Sequence, residues 1–261
     1  MKTNKAPVHF TDNYLIAPTN PVTVNLIGAG GTGSQVLTAL TRINHSLVAL
    51  GHPGLFVRTF DDDIITKANM GRQLFAASEV GSCKSVALTN RVNRFFGSNW
   101  KAIPDKISVN TRELCGNITI SCVDTVKGRF DIAKLLQSTS KSYHRDRSIY
   151  WMDFGNSQHT GQVILSTTGK VEQPASKKYK TINKLPLVTD EFKSLLEDTQ
   201  EDDLPSCSLA EALVKQDLFI NTTLAALGAS LLWSLFREGM VSYRGFFLNL
   251  KDFRIQPIPV A

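Results

Sequence analysis

The chain has 261 residues, 42% hydrophobic and 20% charged, with a net charge of +6; that length buries a full core, as one large α/β domain or as a domain with an added lobe. The basic residues are scattered, with no Lys/Arg run and no interleaved aromatics, which argues against a nucleic-acid-binding protein. Cys83, Cys115, Cys122 and Cys207 stand alone without a C-x-x-C pair, so a disulfide framework and a zinc site are not expected and a reducing, cytoplasmic setting fits best.

No apolar signal core is visible in the first residues, Met-Lys-Thr-Asn-Lys-Ala-Pro. Residues 22–27, apolar and β-branched, predict a strand that ends in glycines. Ser34 to Asn44 carries Val36, Leu37, Leu40 and Ile43 at helical spacing. Leu55 to Phe60 predicts a second strand, stopped by Asp61-Asp62-Asp63, and Lys84 to Phe96 a helix. Ile118 to Val123 reads as a third strand and Ile132 to Leu136 as part of the next helix. Strands alternating with helices imply a doubly wound, mostly parallel sheet, whose ligands bind at the carboxyl ends of strands.

After residue 140 the pattern changes. Ser148 to Phe154 and Gln162 to Ser166 predict a strand pair. Residues 170–184 are rich in lysine and 190–203 in Asp and Glu, without a strong apolar period, so 167–206 is expected to cross the surface as an exposed segment. Leu218 to Phe236 contains no charged residue and approaches the length of a membrane span. Its Asn221, threonines and serines, and the lack of a flanking basic anchor, favour a buried helix and no membrane partner. Helices are expected to resume at Ser208, and Phe246 to Val260 to form one or two strands.

Gly28, Gly30 and Gly33 fit G-x-G-x-x-G after the first strand. Such a turn lets the backbone approach a phosphate, and the helix that follows supplies N–H groups and partial positive charge. No Lys-Ser/Thr follows, which excludes a P-loop. Asp61, at the end of the second strand, can accept hydrogen bonds from a ribose. By themselves these features suit NAD, FAD, SAM or ATP. Residues 61–73, Asp-Asp-Asp-Ile-Ile-Thr-Lys-Ala-Asn-Met-Gly-Arg-Gln, discriminate further, with Lys84 eleven residues after Gln73. Hydride transfer has no use for Asn, Arg and Lys converging on phosphates, whereas attack at the α-phosphate of ATP needs cations to offset transition-state charge.

At this point the sequence resembles the ThiF/MoeB and ubiquitin-activating-enzyme superfamily. The resemblance rests on Gly-Ala-Gly-Gly-Thr-Gly-Ser, Asp-x-Asp before Asn-x-x-Arg-Gln, Lys84, Cys-Val-Asp-Thr-Val-Lys-Gly-Arg at 122–129 and Gly-Gln-Val-Ile-Leu at 161–165. As a whole the chain looks most like the ThiF-type proteins of the PRTRC system, a bacterial mobile-element cluster that also carries a ubiquitin-like protein and a JAB-type protein. The resemblance implies a Rossmann-like fold of ThiF/MoeB type with a C-terminal strand and helix extension. It would form a single domain over 1–261, with a nucleotide-binding core at 20–165, the crossover at 167–206 and C-terminal helices and strands at 207–261. Gly28, Gly30, Gly31 and Gly33 would line the ATP phosphates and Asp61 the ribose, with Asp63 as the second acid of the motif. Asn69, Arg72, Gln73 and Lys84 would contact the triphosphate, and Asp124 would hold Mg2+ near the α-phosphate.

Ser208 with Glu211 forms a capping box, so a helix is expected to start just after Cys207, where its positive end favours a thiolate. Pro-x-Cys-Ser-Leu there also resembles the element that carries the thioester-forming cysteine of ubiquitin-activating enzymes. The reading is adenylation of the C-terminal carboxylate of a small ubiquitin-like protein by a homodimeric enzyme, with acyl capture by Cys207 as a following step. The alternatives are adenylation of a small molecule or tRNA base, or a non-catalytic nucleotide-binding component of a mobile element.

Overall fold

A computed structural model describes residues 5–108, 111, 114–139, 145–197 and 216–261. β1 (Pro7–Phe10) and the short α1 (Asn13–Ile16) lead into β2 (Val22–Ile27) and α2 (Gly31–Ala49). β3 (Leu55–Phe60), α3 (Lys84–Phe96), β4 (Lys101–Ile103), β5 (Ile118–Ser121) and α4 (Val126–Thr139) follow. Next come β6 (Tyr150–Asn156), β7 (Thr160–Thr167), β8 (Lys180–Thr181), α5 (Val188–Glu191) and α6 (Lys193–Glu197). The last described elements are α7 (Ile220–Glu238), β9 (Met240–Val241), β10 (Tyr243–Asn249) and β11 (Arg254–Pro259).

Among the described residues, eight strands form one sheet in the order β11-β10-β7-β6-β5-β2-β3-β4. The run from β4 to β6 is parallel, and β7, β10 and β11 extend it by antiparallel pairing. This is the expected doubly wound α/β fold. Every residue of β2 is buried, as a strand covered on both faces requires. From β2 the chain builds outward to β3 and β4 on one side, then returns to place β5 and β6 on the other. The crevice beside β2 is therefore the topological switch point. Register brings the site to it: Ile27 lies opposite both Phe60 and Ser121. The residues that follow, Gly28, Asp61 and Cys122, consequently leave the sheet at one edge.

α7 lies against α2 and the face of β6 and β7. Its buried residues recur at helical spacing, from Ile220 and Leu224 to Gly228, Leu232 and Leu235, and a side chain on Gly228 would strike the Phe154 ring. Burial on this face accounts for the uncharged stretch. Among the described residues no helix is long and apolar enough to cross a membrane.

Two expectations change. The first helix begins at Gly31, inside the glycine run, because Gly30 serves as its N-cap, and it continues to Ala49 on the strength of the buried Leu47. The crossover expected to be exposed over 167–206 is pinned to the body in its described part. Thr167, Val171, Leu185, Leu187 and Val188 are buried, and Ile182 N–H donates to the Val8 carbonyl as β8 pairs with β1. These anchors follow no helical or strand period across the segment, so the sequence reads as polar. The helix expected from Ser208 begins outside the described residues, and the C-terminal strands form a hairpin, β10 with β11.

Candidate nucleotide-binding site

The glycines differ in what requires them. Gly28 has φ +90°, and a Cβ there would lie 2.6 Å from the Cys122 carbonyl oxygen. A Cβ on Gly33 would collide with the Gly28 carbonyl, and one on Gly31 would lie 2.5 Å from Asn221 Nδ2. These three are demanded by packing. Gly30 is not: the nearest atom to a Cβ there is Gln73 Nε2 at 4.0 Å. The space in front of the turn is open only at Gly30, where the first N–H groups of α2 are free of intrahelical partners by helix geometry.

Asp61 is bound to this turn. Its Oδ2 accepts from Ala29 N–H at 2.6 Å and its Oδ1 from Asp63 N–H at 2.9 Å. Burial pushes its carboxyl above the ordinary carboxylate range, and the Ala29 hydrogen bond works against that rise. Lys84, the first residue of α3, is buried and reaches Asp63 Oδ2 at 2.6 Å. Asp63 itself is mostly exposed, so this pair is open to water on one side and weakly held. Asn69 is used locally: its Oδ1 accepts from Thr66 N–H at 2.8 Å and caps a single turn. Gln73 is buried against Gly30, and its Oε1 has no hydrogen-bond partner among the described residues.

Arg72 is half-buried, and burial lowers its pKa. Its Nη1 donates to Gln216 Oε1 at 2.5 Å, its Nε is buried without a partner, and no carboxylate pairs with it among the described residues. Gln216 Oε1 also accepts from Asn221 Nδ2 at 3.0 Å. Asn221 Oδ1 in turn accepts from Thr32 Oγ1 at 2.8 Å and Asn156 Nδ2 at 2.9 Å. Sequence reasoning missed these residues. The available signal was that Asn221 is the one carboxamide in the uncharged stretch Leu218 to Phe236.

Asp124 is exposed just beyond β5, two residues after the Cys122 that touches Gly28. Its loop is braced from behind. Arg129 is buried, with Nε 3.1 Å from Asp153 Oδ2 and Nη2 donating to the carbonyls of Val123 at 2.8 Å and Phe154 at 3.2 Å. Ser121 Oγ donates to Asp153 Oδ1 at 2.6 Å and accepts from Trp151 Nε1 at 2.7 Å. Arg129 is thus a strut inside the protein. Cys83 Sγ contacts the Asp61 carbonyl at 3.4 Å, Cys122 is partly buried and desolvation pushes its thiol well up, and Cys207 lies outside the described residues.

The structure gathers Gly28, Gly30, Gly31, Gly33, Asp61, Asp63, Arg72, Gln73 and Lys84 around the carboxyl ends of β2 and β3, with Asp124 beside them at β5. An orphaned guanidinium nitrogen and the first N–H groups of α2 fit a polyphosphate, whereas the orphaned Gln73 Oε1 can only accept, from a hydroxyl, an amino group or a water. Among the described residues no three Asp, Glu, His or Cys side chains converge on a metal site. Mg2+ fits here in its usual manner, with one or two carboxylates and the rest of its shell from phosphates and water.

Fold and site together define a doubly wound α/β protein with a glycine turn at its switch point. The chain belongs to the ThiF family, which it matches over residues 19–257. No curated protein matches it in sequence. Its fold is similar to that of PaaA, with TM-score 0.58 at 14% identity, covering 92% of this chain and 64% of PaaA. It is also similar to E. coli MccB, with TM-score 0.58 at 14% identity over 92% of this chain and 62% of MccB. The structure of E. coli MccB with MccA gives TM-score 0.54 at 14% identity, over 92% and 64% of the two chains. The chain therefore spans a little under two thirds of the length of these structures.

Proposed function

We propose that the protein is an ATP-dependent adenylating enzyme whose substrate is the C-terminal carboxylate of a small ubiquitin-like protein, in the manner of PRTRC-type ThiF proteins. The observation that carries this reading is Arg72, a half-buried cation with a neutral amide partner and, among the described residues, an unused Nε, joined through Gln216 and Asn221 to the glycine turn at Gly31. A desolvated positive charge left without a carboxylate among the described residues favours an anion from outside, and the first N–H groups of α2 begin at the same turn.

The reaction asks little of a base, because the attacking carboxylate is already ionised. Its oxygen bonds to the α-phosphorus, the bond to the bridging oxygen breaks, and pyrophosphate leaves with the electron pair. The product is an acyl-adenylate. The glycine turn, Arg72, Lys84 and Gln73 hold the phosphates and offset the charge that develops, while Asp61 holds the ribose; positioning and electrostatics supply the rate. Mg2+ at Asp124 would neutralise phosphate charge. A Cys207 thiolate would then attack the acyl carbonyl and expel AMP, leaving a thioester. MccB, similar in fold, has been crystallised with MccA, which supports a small polypeptide partner over a tRNA base; the scattered basic residues support the same choice. A homodimer in the cytoplasm, working beside a JAB-type protein, belongs to this reading.

ATP–pyrophosphate exchange tests it. Exchange is expected only with a small partner bearing a free C-terminal carboxylate, and is expected to be lost in Asp124→Ala. No exchange with any such partner, or exchange untouched by that substitution, overturns the proposal. Cys207→Ala should retain exchange and lose a reducible partner adduct.

A further inference from the structure

Arg72 is joined to the glycine turn by a route that, among the described residues, leaves its charge unpaired. Gln216 Oε1 sits between two donors, Arg72 Nη1 at 2.5 Å and Asn221 Nδ2 at 3.0 Å. With both neighbours donating, the amide oxygen has to face them, so the orientation of the Gln216 amide is set by its partners. Asn221 is buried and accepts from Thr32 Oγ1, on the first turn of α2, at 2.8 Å. It also packs so closely on Gly31 that a Cβ there would meet Nδ2 at 2.5 Å. One carboxamide on α7 therefore touches the glycine turn directly and fixes the guanidinium through Gln216.

We propose that Gln216 and Asn221 are positioning residues that hold Arg72 against the glycine turn through a neutral acceptor, so that the full cationic charge remains available to the triphosphate of ATP. This rests on the reading of the site as an ATP site. A carboxylate at position 216 would hold the guanidinium in the same place and would neutralise it. Amide and carboxylate have nearly the same shape, so they separate the electrostatic role from a packing role. In a half-buried setting an Arg–carboxylate pair is stronger than an exposed one and competes with the phosphates for the same donors.

The experiment is Mg-ATP binding by calorimetry on the full chain, with thermal melting as the control for folding. Gln216→Glu is expected to raise the Kd about tenfold or more and Gln216→Ala about threefold, with melting midpoints close to wild type. In an Arg72→Ala background the excess penalty of Gln216→Glu should vanish, because the double-mutant cycle isolates the pair. Should Gln216→Glu fail to fold, Gln216→Asp repeats the charge test at shorter reach. A glutamate no worse than alanine, or a penalty that persists without Arg72, overturns the proposal while leaving the ATP site standing. A wild-type chain that binds no Mg-ATP overturns the adenylation reading, and this one with it.

Discussion

The helix after β5 and the loop after β3 each bring an arginine to the switch point, and the two are partnered in opposite ways. Arg129 is buried against the Asp153 carboxylate and gives its other nitrogens to backbone carbonyls that shape the Asp124 loop. Among the described residues, Arg72 has an amide for a partner and an idle Nε. A buried charge that is paired and fully hydrogen-bonded serves the fold. One kept half-buried beside a neutral acceptor retains its field for a ligand. Residue type and proximity to the turn do not separate the two; their partners do.

That contrast is most easily broken on the Arg129 side. Asp153→Ala strands Arg129 without a counter-charge and should cost about 3–5 kcal/mol of stability in urea unfolding. Loss of less than about 1 kcal/mol would mean that Arg129 is not a strut. Arg72→Ala should do the reverse: exchange activity falls about a hundredfold or more, while stability stays within about 1 kcal/mol because little hydrogen bonding is lost. A large loss of stability there would place Arg72 with Arg129.

The glycine turn permits a finer version of the same comparison. Gly33→Ala drives a methyl into the Gly28 carbonyl and should destabilise by about 1–3 kcal/mol or more, as overpacking does. Gly30→Ala meets open space, so its stability cost should stay below about 1 kcal/mol while Mg-ATP affinity falls, read by calorimetry on the same preparation.

The smallest effect lies away from the site, in the small sheet of β8, β1 and β9. His9 is buried, with Nδ1 2.7 Å from the Ile182 carbonyl, which can only accept, so Nε2 accepts from the Tyr150 hydroxyl at 2.9 Å. Burial holds this imidazole below its ordinary value of 6.5. The unfolded chain therefore binds a proton that the folded chain refuses. The His9 contribution is fully present above pH 6.5 and is lost as pH falls below it, by up to about 1.4 kcal/mol per unit. His9→Gln should remove that part of the slope in urea melts run between about pH 7.5 and 5.5, and an unchanged slope would reject the assignment.

Much of the fold was legible because its signals are local. β3 and α3 end where the sequence says, at the aspartates after Phe60 and at Gly97, which takes the left-handed C-cap conformation. The exposed character read into 167–206 was wrong at Val171, Leu185, Leu187 and Val188, since isolated apolar residues acquire meaning only from the surfaces they meet.

By itself, then, the sequence determined the glycine turn and the acid bound to it: Gly28 with its positive φ, the helix that starts behind it, and Asp61 one residue past its strand. Backbone sterics and strand length, both properties of neighbouring residues, dictate all of these. Tertiary structure alone decided what stands behind the cations. Arg72 and Gln216 are 144 residues apart in the chain, and Thr32 and Asn221 are 189 apart. Only the packing of α7 against α2 brings such groups within hydrogen-bonding distance, so whether an arginine is paired with a carboxylate or with a neutral amide is settled in three dimensions.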